Sequence, residues 1–108
     1  MIPPTEAQFR QQIIELAHWG RWKAYCVFEQ ASYARRSSKG FPDLVLARRN
    51  QDGRTRVLIV ELKSEKGKMS LEQLEWQVLF TACPGVEYFL WKPSDFEEIE
   101  IILQREMG

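Results

Sequence analysis

The chain is poor in the residues that make the commonest metal sites and covalent frameworks. Among 108 residues there is one histidine, His18, and two cysteines, Cys26 and Cys83. One histidine excludes a multi-histidine metal centre. Two cysteines can form neither a cysteine-rich zinc site nor a disulfide framework. Both sit among apolar neighbours and read as reduced core residues, which places the chain in the cytoplasm. No apolar run approaches the ~18 residues of a membrane span. The first residues, Met1-Ile2-Pro3-Pro4-Thr5-Glu6, lack the basic-then-apolar order of a secretory signal. Internal repeats and low-complexity tracts are missing too.

Net charge is the other thing missing: 15 Lys and Arg balance 15 Asp and Glu. A neutral sum argues on its face against a nucleic-acid partner, but it says nothing about how the charges are distributed. With 44% hydrophobic and 12% aromatic residues, a packed core is expected. The length supports a single domain, residues 1–108, with no need of a disulfide or structural metal.

The pattern along the chain predicts α-β-β-β-α-β-α. A helix is expected over Glu6–His18, opened by Pro4 and a Thr5/Gln8 capping box and closed by Gly20. Phe9, Ile13, Leu16 and Ala17 form its apolar stripe. Glu6 falls on that stripe, either fraying into solvent or pointing into a site. Strands follow at Lys23–Phe28, Asp43–Arg48 and Thr55–Lys63, the first two separated by a polar, basic loop, Gln30–Lys39. Pro42 can only precede or edge the second strand. The last two strands are joined at Asn50-Gln51-Asp52-Gly53, a strong hairpin signal. A second helix is expected from Ser70 to about Ala82, capped by Ser70-x-x-Gln73. Its Leu71, Leu74, Val78 and Ala82 face reads as core. The face of Gln73, Trp76, Gln77 and Phe80 suits a dimer contact, DNA or burial equally. A strand, Val86–Trp91, and a helix, Asp95–Glu106, with a Ser94/Glu97 capping box, complete the chain. The fold class is therefore α/β, a mixed sheet with helices packed on it.

A hairpin turning about Asp52 sets residue i opposite residue 104−i, which puts Asp43 opposite Glu61. Directly paired side chains lie about 5 Å apart, and two like charges there destabilise a sheet. A divalent cation between them is one remedy. Lys63 shares the face of Glu61 because strand side chains alternate. Oxygen ligands beside a lysine suit Mg²⁺ or Mn²⁺ rather than zinc, and such an ion activates water and neutralises phosphate. The plain alternative is a chance spacing, with Glu61 and Lys63 as a surface ion pair.

Gly40-Phe41-Pro42-Asp43-Leu44, then Glu61-Leu62-Lys63, then Ser70-x-x-Gln73-x-x-Trp76 resemble the VRR-NUC nucleases of the PD-(D/E)xK superfamily. The similarity runs from Glu6 to Trp91-Lys92-Pro93-Ser94 and is to small stand-alone members of phages and bacteria. It implies a restriction-endonuclease-like core, αβββαβ, followed here by a C-terminal helix. By position it implies that Asp43 and Glu61 hold metal and that Lys63 is the catalytic lysine. It makes Glu6 an acid completing the site, Gln73 the family's glutamine, and the Leu62 carbonyl a further ligand. It also implies a Mg²⁺- or Mn²⁺-dependent DNA endonuclease acting as a homodimer on branched DNA, in the manner of a Holliday-junction resolvase. A non-catalytic branched-DNA-binding module and a general or restriction-like duplex nuclease are the alternatives.

The charge balance then takes on another meaning. Residues 35–68 hold ten basic and four acidic side chains, a net +6 that the remainder cancels. Arg35, Arg36 and Lys39 precede the acids, and Lys66 and Lys68 follow them; all five are expected to hold the phosphate backbone. DNA is expected on one face, with binding that weakens steeply in salt.

Overall fold

The computed structural model describes residues 2–27 and 39–105. Its elements are α1 (Glu6–Trp19), β1 (Lys23–Cys26), β2 (Leu44–Arg49), β3 (Thr55–Leu62), α2 (Leu71–Thr81), β4 (Val86–Trp91) and, after a 3-10 turn at Pro93–Asp95, α3 (Phe96–Gln104). The strands form one sheet in chain order, β1-β2-β3-β4. β1 with β2 and β2 with β3 are antiparallel, and β3 with β4 is parallel. The antiparallel pairs need only a hairpin or a loop, whereas the parallel pair needs the crossover that α2 supplies.

The expected order of elements holds, with ends shifted by a residue or two. Both capping boxes form: Thr5 with Gln8, and Ser70 with Gln73. The last helix differs more. Ser94 does not cap it; instead the Asp95 carboxylate accepts the Lys92 backbone N–H, and Glu65 accepts the Ser94 N–H. A 3-10 turn therefore occupies the predicted first residue of that helix.

The two sheet faces differ in kind. On one, Leu44, Leu46, Leu58, Val60 and Leu62 meet Phe9, Ile13 and Ala17 of α1 and Ile99, Ile102 and Leu103 of α3, all but Ile102 fully buried. The same face carries Arg48 and Arg56, directly opposite each other and both buried. They do not belong to a DNA-gripping surface, as the charge of the hairpin suggests. The Arg48 guanidinium donates to the carbonyls of Gly20 (3.0 Å), Leu103 (2.9 Å) and Arg105 (2.7 Å). Arg56 donates to the Arg105 carbonyl at 3.1 Å and grips Glu87 through two bonds of 2.8 and 2.7 Å. Both lie over the Trp22 ring, whose N–H donates to the Leu103 carbonyl. Two cations are tolerated side by side because the carbonyl end of α3, the negative pole of a helix, faces them.

α2 lies over β4, with the opposite orientation to the one expected. Its aromatic face turns inward, where Phe41, Trp76 and Phe80 pack with ring centroids 4.8–5.7 Å apart. The Trp76 N–H donates to the Lys39 carbonyl. Leu71, Leu74 and Val78 are exposed instead of forming core. Both faces are apolar enough to be buried, and the larger aromatic area won. Cys83 is likewise exposed and not a core residue; Cys26 is half-buried, and both are free thiols.

Two backbone positions constrain the chain. Gly40 has φ +79°, and a Cβ there would lie 2.6 Å from Cβ of Glu72, so glycine lets the loop before Asp43 touch the start of α2. Arg21, after α1, has φ +67°. A side chain in this left-handed region costs about 1 kcal/mol relative to glycine.

Candidate active site

The second sheet face builds the site. Every β2–β3 pair obeys the 104−i register, and its last pair is Leu44 with Val60. One step further, Asp43 meets Glu61, and the pairing on the other side continues as well, with the Val27 N–H donating to the Asp43 carbonyl at 2.8 Å. Asp43 and Glu61 point away from the leucine core because Leu44, Val60 and Leu62 point into it.

Glu61 is 1% exposed, rare for an acid. Its Oε2 accepts a hydrogen bond from Gln73 Nε2 at 3.0 Å and lies 3.6 Å from Lys63 Nζ. Asp43 is half-buried, and its Oδ2 accepts the Leu62 backbone N–H at 2.8 Å. Burial, then the neighbouring Asp43 charge, pushes the Glu61 carboxyl up to about 8, against an opposing pull from Lys63. Gln73 does two jobs with one amide. Its oxygen accepts the Ser70 N–H as the helix cap, while its nitrogen donates to Glu61. The start of α2 is thereby tied to the acid.

Asp43, Glu61, Lys63, Leu62 and Gln73 are thus brought together. Glu6 stands partly exposed at the first turn of α1. Among the described residues no three His, Cys, Asp or Glu side chains gather, so Glu6 does not join the acid pair in one cluster. Lys39 is exposed and faces Glu72 at 3.8 Å. Lys66 and Lys68 are exposed on the loop after β3. Arg35 and Arg36 lie outside the described residues. His18 is exposed, off the apolar stripe of Phe9, Ile13, Leu16 and Ala17.

Tyr88 belongs to the site and was not singled out in the sequence. It pairs with Ile59 on β3 and shares the face of Glu61. Its hydroxyl is buried without a hydrogen-bond partner among the described residues. Burial, then the Glu61 and Asp43 charges, raises its pKa to about 12. The alternation of Val86, Tyr88 and Leu90 against Phe89 and Trp91 was the signal that separates it from the core.

The donor chemistry fits a hard divalent cation. Both side chains are carboxylates, and their mutual repulsion is what a +2 charge relieves. Two carboxylates suffice for Mg²⁺, which keeps several of its waters.

A mixed four-stranded sheet flanked by helices, with a buried glutamate facing a half-buried aspartate where β2 and β3 meet, is an α/β fold consistent with a restriction-endonuclease-like core. The chain belongs to the VRR-NUC family: the family's model, the VRR-NUC domain, matches residues 4–92. No curated protein and no solved structure matches the chain. The domain is a nuclease domain, and DNA is the partner that it suggests. No helix among the described residues is long and apolar enough to cross a membrane.

Proposed function

We propose that this protein is a divalent-metal-dependent, structure-specific DNA endonuclease that resolves branched DNA as a homodimer, in the manner of a Holliday-junction resolvase. One observation carries the reading: a nearly inaccessible Glu61 is held opposite Asp43, with Lys63 and Gln73 on the same carboxylate. An acid pair this costly in a 108-residue domain is retained for chemistry.

Asp43 and Glu61 would hold Mg²⁺ or Mn²⁺, with the Leu62 carbonyl as a further oxygen donor. Such an ion, when bound, lowers the pKa of water and neutralises phosphate charge. Lys63 orients the attacking water. Gln73 fixes the Glu61 carboxylate in one orientation, leaving its other oxygen for ligation. Lys39, Lys66 and Lys68 hold the phosphate backbone. In-line attack leaves a 5′-phosphate and a 3′-hydroxyl.

Two symmetric nicks need two sites, and this chain has one Asp43–Glu61 set. The exposed Leu71, Leu74 and Val78 stripe of α2 supports self-association. The test is a panel of four-way junction, flap, splayed arm and linear duplex with Mn²⁺. Paired symmetric nicks in the junction are expected, and Asp43→Ala or Lys63→Ala should lower them at least about a hundredfold while the variants still melt cooperatively. Nicking that survives Asp43→Ala sinks the assignment. Equal cleavage of all four substrates leaves a general nuclease.

A further inference from the structure

Away from the acids, the hairpin end of the sheet, where its two faces meet, carries a feature that the catalytic reading does not use. An open cleft of about 1050 Å³ lies at the hairpin end of the sheet, lined by Trp19, Arg21, Lys23, Arg49 and polar neighbours, with no Asp or Glu among its lining residues. Arg21, Lys23 and Arg49 are exposed, and none of them makes an ion pair with a described residue. Trp19 is 81% exposed. Arg48 also lines the cleft, but its guanidinium is taken up by backbone carbonyls.

The cleft is connected to the acids by strand geometry. Asp43, Val45, Ala47 and Arg49 alternate onto one face of β2. Tyr25 pairs with Val45 and Lys23 with Ala47, so they share that face. Tyr25 is 67% exposed, and α2 packs over β4, on the far side of the sheet. Six residues of strand separate Asp43 from Arg49, about 20 Å. DNA rises about 3.4 Å of helix axis per base pair, so this span matches the length of about six base pairs.

We propose that the Trp19–Arg21–Lys23–Arg49 cleft is a second phosphate-binding site, which holds the backbone of a DNA arm running from the acids along the β1–β2 side of the sheet. The three cations take phosphates, and the exposed indole offers a flat apolar surface to deoxyribose. The conformation of Arg21 points the same way. Its left-handed backbone would be relaxed by glycine, so the arginine is kept there against local stability. This assignment rests on the nuclease reading for its ligand.

The test is anisotropy of a labelled duplex of about 30 base pairs in EDTA, over a range of salt, with the intact protein and two variants. The double variant Lys23→Gln/Arg49→Gln is expected to raise Kd about tenfold and to flatten the log Kd against log salt slope by about two. Arg21→Gly is expected to melt at a higher temperature yet to bind about threefold more weakly; a merely structural role would raise the melting temperature and leave binding alone. Equal affinity and equal salt slope for the native protein and the double variant overturn the proposal, as does native protein that does not bind duplex at all. Binding is read without metal, so the two readings fail separately. A protein that cuts nothing but shows the tenfold difference loses the nuclease reading and keeps the cleft. A protein that cuts while the double variant binds normally loses the cleft.

Discussion

Glu61→Gln should abolish cleavage, by about a thousandfold or more, and at the same time stabilise the metal-free protein. The two effects have one origin. The carboxyl sits in a site that penalises its charge, so its pKa stands near 8 in the folded chain against 4.5 unfolded. Between those values the folded state holds more protons than the unfolded one, so stability falls as pH rises. The neutral-acid contribution is complete below about pH 4.5 and is lost as pH rises through about 8. The neutral amide escapes that loss. In EDTA the variant and the native protein should melt alike near pH 5, and the variant should gain on the order of 4 kcal/mol by pH 8.5. Mn²⁺ should then raise the melting temperature of the native protein and not of the variant. Thermal melts at several pH values, with and without Mn²⁺, check this. A variant that melts below the native protein at pH 8.5 in EDTA would contradict the assigned strain.

Arg48→Met should cost about 3–5 kcal/mol, the largest stability effect expected for a polar residue of this chain. The substitution keeps an unbranched side chain over Trp22 but leaves the carbonyls of Gly20, Leu103 and Arg105 short of a charged donor in a buried place. It also leaves Arg56 alone against the end of α3. The neighbouring Arg49→Met, on the other face and exposed, should change stability by no more than about 0.5 kcal/mol. Denaturant titration of the pair gives the contrast directly. Similar losses in both variants would refute the capping role.

This pair of arginines also shows what the sequence exposed and what it concealed. The hairpin register was legible because turn chemistry and strand alternation are local, and the meeting of Asp43 with Glu61 followed from arithmetic. The acid–lysine pattern and the Ser70–Gln73 cap were legible for the same reason. Arg48 and Arg56 were concealed because their partners are backbone carbonyls 28 to 57 residues away, or an acid 31 residues away, which no local pattern announces. Yet the period of Leu44, Leu46 and Arg48 already placed that arginine inward. The orientation of α2 was concealed for a different reason. Two apolar faces compete for one sheet, and the choice is made by Phe41, thirty-five residues before Trp76. Tyr88 was concealed because an aromatic in a strand usually belongs to the core.

The hairpin has a further consequence, for how such a chain can vary. Six residues of β2, Leu44–Arg49, pair with the first six of β3, ending at Val60, so the two arms from the turn to the acids are equal. Adding one residue to a single arm would turn its acid into the leucine core, or force a bulge to absorb it. The turn at residues 50–53 can change in composition at little cost, but the arms can lengthen only together and by even steps. Insertions between the two facing acids of a relative should therefore fall in the turn or come as matched pairs in the strands.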